Sequence, residues 1–490
     1  MIESLYNQKK RVYGEKKRIP RPKHNIIVRN FWKCNTQKGG EDMSGIPGYA
    51  AEVLAALEAA GYEAWCVGGC VRDSLLGRTP QDWDVTSSAR PEAVMGIFGD
   101  QAIPTGLVHG TVTVKTGGGP VEVTTFRRDG AYRDHRRPQS VTFTNSLEED
   151  LRRRDFTVNA MALDLRGTLA DPLGGRADLD AGVLRCVGEP DHRFREDALR
   201  ILRGVRFAAA LGFTLEPDTD RSLRANRNLL AEIAPERIWD ELCGLVTAPG
   251  AAEALRAYPE VIGVFWPEIL DMVGFPQRNR HHCYDVWEHT LHALGAVPPE
   301  LTLRLTMLLH DIGKPGCCTL DESGCGHFRG HPARSAAMTE DMLRRLRADN
   351  ATRETVTRLV AWHDRNIPRT RPGVAQALRQ LGETDLRRLF LIKRADNLAQ
   401  APAYRTMQAE INKAEEILNQ LLAEGACVCL EQLAVRGGDL LALGFEGPAL
   451  GEALETLLDQ VIEERLPNDR TALLEYARRL REENRQEGKW

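Results

Sequence analysis

The sequence has no long apolar segment of the kind that crosses a membrane. Hydrophobic residues make up 42% and charged residues 27% of the 490-residue chain, and no apolar run approaches the ~18–20 residues that a membrane helix needs. The first residues are charged and lack the apolar core and small-residue cleavage site of a secretory signal. We therefore expect a cytoplasmic globular protein with no membrane partner, and no feature indicates a protein partner.

Cysteine is present but lacks the spacing of a disulfide framework. The count of 11 is odd, and the cysteines are scattered along the chain. Free thiols in a reducing compartment are the simplest interpretation. Internal repeats and low-complexity tracts are also lacking. Because the length exceeds that of one ordinary core, two to four domains are expected.

A strong net charge is lacking as well. The formal value of −4 neither indicates nor excludes a nucleic-acid partner, because RNA binding needs a local basic surface and not a basic total. Arginine clusters occur at 127–128, 133–137, 152–154 and 193–206. Most such clusters are solvated surfaces, but these flank the motifs described below, which favours a role in binding.

The apolar pattern divides the chain into a mixed head and a helical remainder. Residues 49–60 have the composition of a helix that ends at Gly61. Alternating apolar residues predict strands at 111–115 and 121–124, joined by a glycine-rich turn. Beyond Asp191 the pattern is helical almost to the C-terminus. The predicted fold class is α+β, with a sheet and helices in the head.

Two neighbouring acids form the most informative motif. After the glycine pair Gly68-Gly69, which would allow the backbone to approach a phosphate, come Asp82 and Asp84. Side chains two apart in a strand point to the same face, so these carboxylates would form a hard-oxygen site suited to Mg²⁺. An exposed strand or turn is the alternative for an isolated Asp-x-Asp.

Glu122, on the predicted hairpin, is the candidate for a third carboxylate, with a solvent-facing edge-strand acid as the alternative. Three such acids could hold two Mg²⁺ ions for phosphoryl transfer. One ion would lower the pKa of a 3′-hydroxyl, and the other would neutralise the triphosphate and the leaving pyrophosphate.

These motifs resemble those of the class II CCA-adding enzyme and bacterial poly(A) polymerase superfamily. The resemblance extends over residues 60–490. It is carried by Gly68-Gly69-x-Val-Arg72-Asp, Leu76-Gly77-Arg78, Asp82-x-Asp84-Val, Gly106-x-x-His109-Gly110-Thr111 and Glu122-Val-Thr-Thr-Phe126-Arg127. It implies a polymerase-β-like nucleotidyltransferase head in which the first of these motifs binds the nucleotide.

Two further stretches refine the resemblance. Arg153, Arg154, Asp155 and Asn159 resemble the family's Arg-Arg-Asp motif, which implies recognition of the nucleotide ribose. Residues 129–138 resemble the flexible loop associated with the switch to A addition, which enzymes that add only CC are expected to lack. Together these stretches favour the addition of CCA or of A.

Asp197 and Arg200 resemble the family's base-reading motif. Cytosine and adenine each present an exocyclic amine beside a ring-nitrogen acceptor, whereas uracil and guanine present the reverse. A carboxylate and a guanidinium three residues apart on one helix face would therefore accept C or A and reject U or G. A surface ion pair is the alternative. Arg203 and Arg206 are candidates for binding triphosphate or tRNA backbone.

Most of the 12 histidines lie between residues 281 and 400. The residues that resemble an HD-domain metal site are His289, His310, Asp311 and Asp396. Imidazoles with carboxylates suit a divalent metal that activates water, and His331 and His363 could supply a second metal. The resemblance implies a metal-dependent phosphohydrolase, with a purely structural module as the alternative.

The predicted function is template-independent addition of CMP and AMP to the tRNA 3′ end, with tRNA, CTP and ATP as partners. Two Mg²⁺ ions are expected in the head and a divalent metal in the HD domain. One alternative is an A-adding enzyme or poly(A) polymerase, and another is an HD phosphohydrolase with an inactive head. The predicted segments are a basic, disordered extension at 1–42, a nucleotidyltransferase head at 43–180, a helical neck for nucleotide and RNA binding at 181–270, an HD domain at 271–400 and a helical tRNA-binding tail at 401–490.

Overall fold

The computed structural model describes residues 45–130 and 140–486. The predicted extension at 1–42 and most of the predicted A-addition loop lie outside the described residues. Within these two described ranges, no helix is both long and apolar enough to cross a membrane.

The head is built on a mixed seven-stranded sheet. Its strands are β1 (Ala64–Val67), β2 (Asp84–Ser87), β3 (Ala102–Gly106), β4 (Thr111–Thr116), β5 (Gly119–Thr125), β8 (Ala162–Leu163) and β9 (Leu169–Ala170). They lie in the order β3-β4-β5-β2-β1-β8-β9, and β2 is parallel to β5 but antiparallel to β1. The predicted strands at 111–115 and 121–124 are β4 and β5, and their valines are buried in the core.

Five helices and a small hairpin complete the head. The helices are α1 (Gly48–Ala59), α2 (Gly69–Leu75), α3 (Pro91–Phe98), α4 (Leu147–Arg152) and α5 (Gly175–Ala181), and the hairpin joins β6 (Arg127–Asp129) to β7 (Val141–Phe143). The helix predicted at 49–60 is α1, which buries Val53, Leu54 and Leu57 in the head core. The α+β fold class of the head is confirmed.

The rest of the described chain is mainly helical, as predicted. Its helices are α6 (Pro190–Glu196), α7 (Leu199–Leu211), α8 (Pro217–Asn226), α9 (Pro235–Val246), α10 (Ala251–Ala257), α11 (Pro259–Ile262), α12 (Val286–Ala296), α13 (Leu301–Leu309), α14 (His331–Arg345), α15 (Asn350–Trp362), α16 (Arg371–Leu398), α17 (Gln408–Ala423), α18 (Gly437–Ala442), α19 (Pro448–Ile462) and α20 (Arg470–Gln486). A contiguous core of buried apolar side chains extends from Phe194 on α6 to Ala477 on α20.

Two short strand pairs add to these helices. β10 (Val183–Leu184) pairs in parallel with β11 (Thr214–Leu215), and β12 (Thr319–Leu320) forms a hairpin with β13 (Gly326–His327). In α16, Gly382 has φ 73° and ψ 166°, so the helix consists of two segments. A left-handed φ is available to glycine at little steric cost. The second segment carries Asp396 toward the buried histidines.

Candidate active site

A glycine turn joins β1 to α2 in the head. Gly68 has φ 82° and ψ −134°, a conformation that L side chains rarely adopt. A Cβ added at Gly68 would lie 3.2 Å from Nη1 of Arg154. Glycine is therefore required here both for the turn and for the close approach of this cationic side chain.

The three predicted catalytic acids lie on or beside two adjacent strands. Asp84 begins β2, and Asp82 precedes that strand and does not lie within it. Trp83 between them is 4% exposed. Its side chain therefore faces the core, and the side chains of the two acids face the other way. Asp84 is in register with Glu122 on the parallel strand β5.

The charges of these acids act on one another. Burial raises the pKa of Asp84 to about 6, and repulsion from Asp82 and Glu122 adds to this. Arg154 opposes the shift. Within the described ranges, however, sets of three metal-ligand atoms that all lie within 4.8 Å of one another occur only in the helical part of the chain.

A cavity of about 750 Å³ gathers most of the predicted residues of the head and neck. Glu122 is not in its wall. The predicted residues that line it are Gly68, Gly69, Arg72, Asp82, Asp84, Arg153, Arg154, Asp155, Asn159, Asp197, Arg200, Arg203 and Arg206. Tertiary structure therefore brings motifs more than 100 positions apart to one concave site.

Asp155 and Asn159 of the predicted ribose motif form a continuous hydrogen-bond network with Arg72 and Arg203. Arg72 donates to Oδ1 of Asn159 at 2.7 Å, and Asn159 donates to Oδ1 of Asp155 at 3.2 Å. Arg203 donates to Oδ2 of Asp155 at 2.7 and 2.9 Å. Although burial opposes it, Arg203 lowers the pKa of Asp155 to about 2. Asp155 is therefore an ionised acceptor with a fixed orientation.

The prediction that Asp197 and Arg200 share one helix face is wrong. Asp197 lies between α6 and α7 with φ −133° and ψ 100°, and its carboxylate accepts from the backbone N–H of Leu199. These extended backbone angles end α6 before α7 begins, so the helical face is interrupted. Asp197 is held by Arg237 on α9 at 3.1 and 3.3 Å, whereas Arg200 donates to Glu196 at 2.8 Å. The two side chains share the cavity wall without pairing.

Arg203 and Arg206 are also held by protein partners. Both contact Glu241 on α9, and Arg206 stacks with its Cζ 4.2 Å from the ring centroid of Phe207. Although burial opposes it, Asp155 and Glu241 raise the pKa of Arg203. These arginines therefore connect α7 to α9 while lining the cavity.

Four charged residues that support the site were not predicted from the sequence. They are Asp150, Glu196, Arg237 and Glu241. Asp150 could have been found from its i,i+3 and i,i+4 spacing to two arginines, a spacing at which helical side chains meet. Arg237 lies 40 positions from Asp197, and no local pattern indicates that contact.

The four predicted HD residues are brought together in the helical part. His289 Nε2 lies 2.9 Å from Asp396 Oδ1, and His310 Nε2 lies 3.1 Å from Asp311 Oδ2. Lys314 Nζ lies 2.7 Å from the same oxygen of Asp311. The histidines and Asp311 are buried, and the Asp396 side chain is 27% exposed.

Two more histidines complete this cluster. Nε2 of His331 and Nε2 of His363 are 3.2 Å apart, and they lie 3.4 and 3.8 Å from Asp311 Oδ1. The potential ligands form two overlapping groups, one of His289, His310 and Asp311 and the other of Asp311, His331 and His363.

Backbone contacts define the ring tautomers of the four histidines. Each Nδ1 lies 2.6–3.3 Å from a backbone carbonyl oxygen. A carbonyl oxygen only accepts, so each Nδ1 carries the hydrogen, and a ring that is neutral directs its Nε2 lone pair inward. Within the described ranges, His310 Nε2 and Asp311 Oδ1 are buried without a hydrogen-bond partner, whereas Asp311 Oδ2 pairs with Lys314. Converging lone pairs and carboxylates fit a divalent cation.

The head matches the family model for the poly A polymerase head domain over residues 64–185. A model for a proposed RNA- and SrmB-binding region of polymerase A matches residues 212–259, and one for a proposed domain 2 of tRNA nucleotidyltransferase matches 334–477. The CCA-adding enzyme of Geobacillus thermodenitrificans is 44% identical over 283 residues, which are 56% of this chain and 68% of that protein.

A longer match settles the family. The CCA-adding enzyme of Lactiplantibacillus plantarum is 33% identical over 443 residues, which cover 88% of this chain and 95% of that protein. This chain belongs to the CCA-adding enzyme family. As a member, it is a nucleotidyltransferase, and the predicted activity, CCA addition, is confirmed at this level.

The fold agrees with that of a solved CCA-adding enzyme. The crystal structure of the Bacillus stearothermophilus CCA-adding enzyme in complex with CTP matches with a TM-score of 0.67 and 32% identity. The match covers 90% of this chain and 98% of that protein. The predicted family and fold are therefore confirmed, whereas the individual roles of the site residues remain predictions.

Proposed function

We propose that this chain adds CMP and AMP to the 3′ end of tRNA, using CTP and ATP, in the cytoplasm. The observation that carries the proposal is the single cavity that contains Asp82 and Asp84 together with Asp197 and Arg200. Carboxylates suited to phosphoryl transfer and a pair of groups suited to base selection therefore face the same space. A solved relative in complex with CTP supports the choice of nucleotide.

The proposed reaction joins the tRNA 3′-oxygen to the α-phosphorus of the nucleotide. The bond from that phosphorus to the bridging oxygen breaks, pyrophosphate leaves, and the hydroxyl proton passes to solvent. Asp82, Asp84 and Glu122 would hold Mg²⁺, which would neutralise charge on the triphosphate and lower the pKa of the hydroxyl. The mutual repulsion that raises the pKa of Asp84 fits a site that binds cations.

Base selection is assigned to two side chains that the protein holds rigidly. The Asp197 carboxylate would accept from the exocyclic amine of C or A, and the Arg200 guanidinium would donate to the adjacent ring nitrogen. Arg237 and Glu196 fix these two groups. With U or G bound, donors would face donors and acceptors would face acceptors, and each buried mismatch costs ~1–3 kcal/mol.

The rest of the cavity is assigned to sugar and phosphate. Asp155 and Asn159 offer acceptors and an amide to the ribose hydroxyls. Positive charge for the triphosphate comes from Arg72, Arg153 and Arg154. Each guanidinium group can donate two parallel hydrogen bonds to the oxygens of one phosphate group. These contacts are common to CTP and ATP, so they bind both nucleotides without distinguishing the base.

The test uses purified protein, Mg²⁺, labelled CTP or ATP, and tRNAs that lack the last three, two or one nucleotides. Synthesis of the complete end on the shortest tRNA supports the proposal. Addition of A alone to the longest tRNA would identify an A-adding enzyme, and long A tails on any RNA a poly(A) polymerase. A lack of incorporation together with phosphatase activity would support the alternative of an inactive head.

A second activity is favoured by the buried cluster. We infer that one divalent metal is held by His289, His310, Asp311 and Asp396. A second divalent metal would be held by His331 and His363 together with Asp311. A cation there would supply an activated water for hydrolysis of a phosphate ester. The test is hydrolysis of 2′,3′-cyclic nucleotides to nucleoside 2′- or 3′-monophosphates by the full chain with Mn²⁺. Asp311→Asn should abolish it and leave CMP incorporation intact.

A further inference from the structure

Asp150 is a buried acid beneath the nucleotide cavity. It lies in the last turn of the short helix α4, and its side chain is 0% exposed. A fully buried carboxylate is costly unless it is paired and hydrogen-bonded. Its hydrogen-bond partners therefore indicate the role of this carboxylate.

The partners of Asp150 come from three separate parts of the head. Thr86 on β2 donates to Oδ2 at 3.1 Å, and the backbone N–H of Arg127 donates to Oδ1 at 3.3 Å. Arg153 Nε donates to Oδ1 at 2.8 Å, and Arg154 Nη2 donates to Oδ2 at 3.4 Å. One carboxylate thus joins β2 to two of the arginines that line the cavity.

The electrostatics agree with this geometry. Burial opposes ionisation of Asp150, but Arg153 and Arg154 lower its pKa overall, so the group is an anion between two cations. Arg154 also lies against the glycine turn at Gly68 and opposes the rise in the pKa of Asp84 that burial and the neighbouring acids cause. The position of its guanidinium therefore affects both the turn and a catalytic acid.

We propose that Asp150 is a positioning residue that holds Arg153 and Arg154 in the orientation that receives the nucleotide triphosphate. Without its charge, the two guanidinium groups repel each other and lose a common anchor. The inference rests on the proposed function, because it assumes a nucleotide in this cavity. Since the triphosphate is common to both substrates, Asp150 acts equally on CTP and ATP and takes no part in choosing the base.

The main test is Asp150→Asn in the full chain. The variant keeps the shape and one acceptor oxygen but removes the charge. The KM for CTP and for ATP should rise by a similar factor of about ten, because charge-assisted hydrogen bonds are roughly twice as strong as neutral ones. The ratio of UTP to CTP incorporation should not change. Glu148→Gln is the matched control, since this acid lies on the same helix and pairs at the surface with Arg152.

A double-mutant cycle separates positioning from general stability. Asp150→Asn and Arg154→Gln should be strongly non-additive in KM, because residues of one network are coupled. Asp150→Glu, which restores the charge, should recover part of the loss. If Asp150→Asn lowers only the active fraction or the melting temperature and leaves both KM values unchanged, the proposal is wrong.

A second measurement keeps the proposal testable if Asp150→Asn fails to fold. Thr86→Val removes one hydrogen bond to Asp150 at nearly constant volume, and it should raise both KM values by about twofold. Unchanged KM values in this variant would overturn the proposal. If the wild-type chain incorporates no nucleotide at all, the proposed function fails, and that outcome is distinct from failure of the role of Asp150.

Discussion

Arg237 donates hydrogen bonds to both carboxylate oxygens of Asp197, at 3.1 and 3.3 Å. Arg237 is on α9, whereas Asp197 lies in the break between α6 and α7. The bidentate contact fixes the plane of a carboxylate that lines the nucleotide cavity. It leaves Arg200 to be held separately by Glu196.

Arg237→Gln should therefore weaken base selection without touching the metal site. We expect kcat/KM for CTP and ATP to fall, and the preference over UTP to decrease by roughly ten- to a hundredfold, since a charged hydrogen bond contributes about 1.5–3 kcal/mol and about 1.4 kcal/mol is a factor of ten. Competitive incorporation measures this. Arg200→Ala should have a larger effect in the same direction. Arg176→Gln, which removes a surface pair with Asp180, is the control, and equal behaviour of the two glutamine variants would contradict the assignment.

Asp84→Asn should abolish nucleotide incorporation. Because Asp84 is the residue whose pKa is raised to about 6 by burial and by neighbouring acids, neutralising it removes both a proposed metal ligand and the local repulsion. We expect activity to fall by at least about a thousandfold, as for loss of a large electrostatic contribution. Single-turnover incorporation of labelled CMP measures it, with the exposed Asp100→Asn as control. Retained activity would refute the catalytic assignment of the acids.

Gly68→Ala should destabilise the head and impair nucleotide binding together. The backbone has φ 82° at this position, and a methyl group would crowd Arg154 at 3.2 Å. We expect a loss of about 1–2 kcal/mol in stability and a raised KM for CTP and ATP. Thermal unfolding and initial rates measure the two effects. Gly48→Ala on α1, where an added Cβ meets nothing within 4 Å, should be neutral.

The pairing of Asp155 with Arg203 should give stability a defined pH dependence. The pKa of Asp155 is lowered to about 2, below the ordinary aspartate value of about 3.9. Its contribution is therefore fully present above pH ~4 and is lost as the pH falls toward 2, and it amounts to about 2 kcal/mol. Asp155→Asn should lower the unfolding midpoint at neutral pH, with the difference shrinking in acid. A constant difference across that range would contradict the pairing.

Asp311→Asn should remove most of the Mn²⁺ bound by the full chain, because Asp311 contacts both histidine groups of the cluster. Metal analysis after equilibrium dialysis measures this independently of any activity. His327→Gln tests the exposed β12–β13 hairpin, where Asp321, Cys325 and His327 form another group of potential ligands, and this variant should keep the metal. If the hairpin variant loses the metal and Asp311→Asn keeps it, the buried cluster is not the metal site.

Much of the fold and many site residues were predictable because their patterns are local. The β4–β5 hairpin follows from alternating valines around a glycine-rich turn, and α1 follows from an alanine-rich run. Asp82 and Asp84 are recognisable because their spacing of two survives even though β2 begins only at Asp84. The prediction for Asp197 and Arg200 failed because Asp197 has extended backbone angles and separates two helices that read as one in the sequence.

Residue identity and short-range periodicity act within a few positions. They therefore sufficed to predict the chemical groups, their spacing along each helix or strand and the family that they indicate. Three features depend on tertiary contacts: Arg237 pairs with Asp197, Asp150 joins Thr86 to two arginines, and four histidines gather around Asp311. Such contacts depend on how separate helices and strands pack. Packing is set by burial summed over the whole chain, and no local pattern records it.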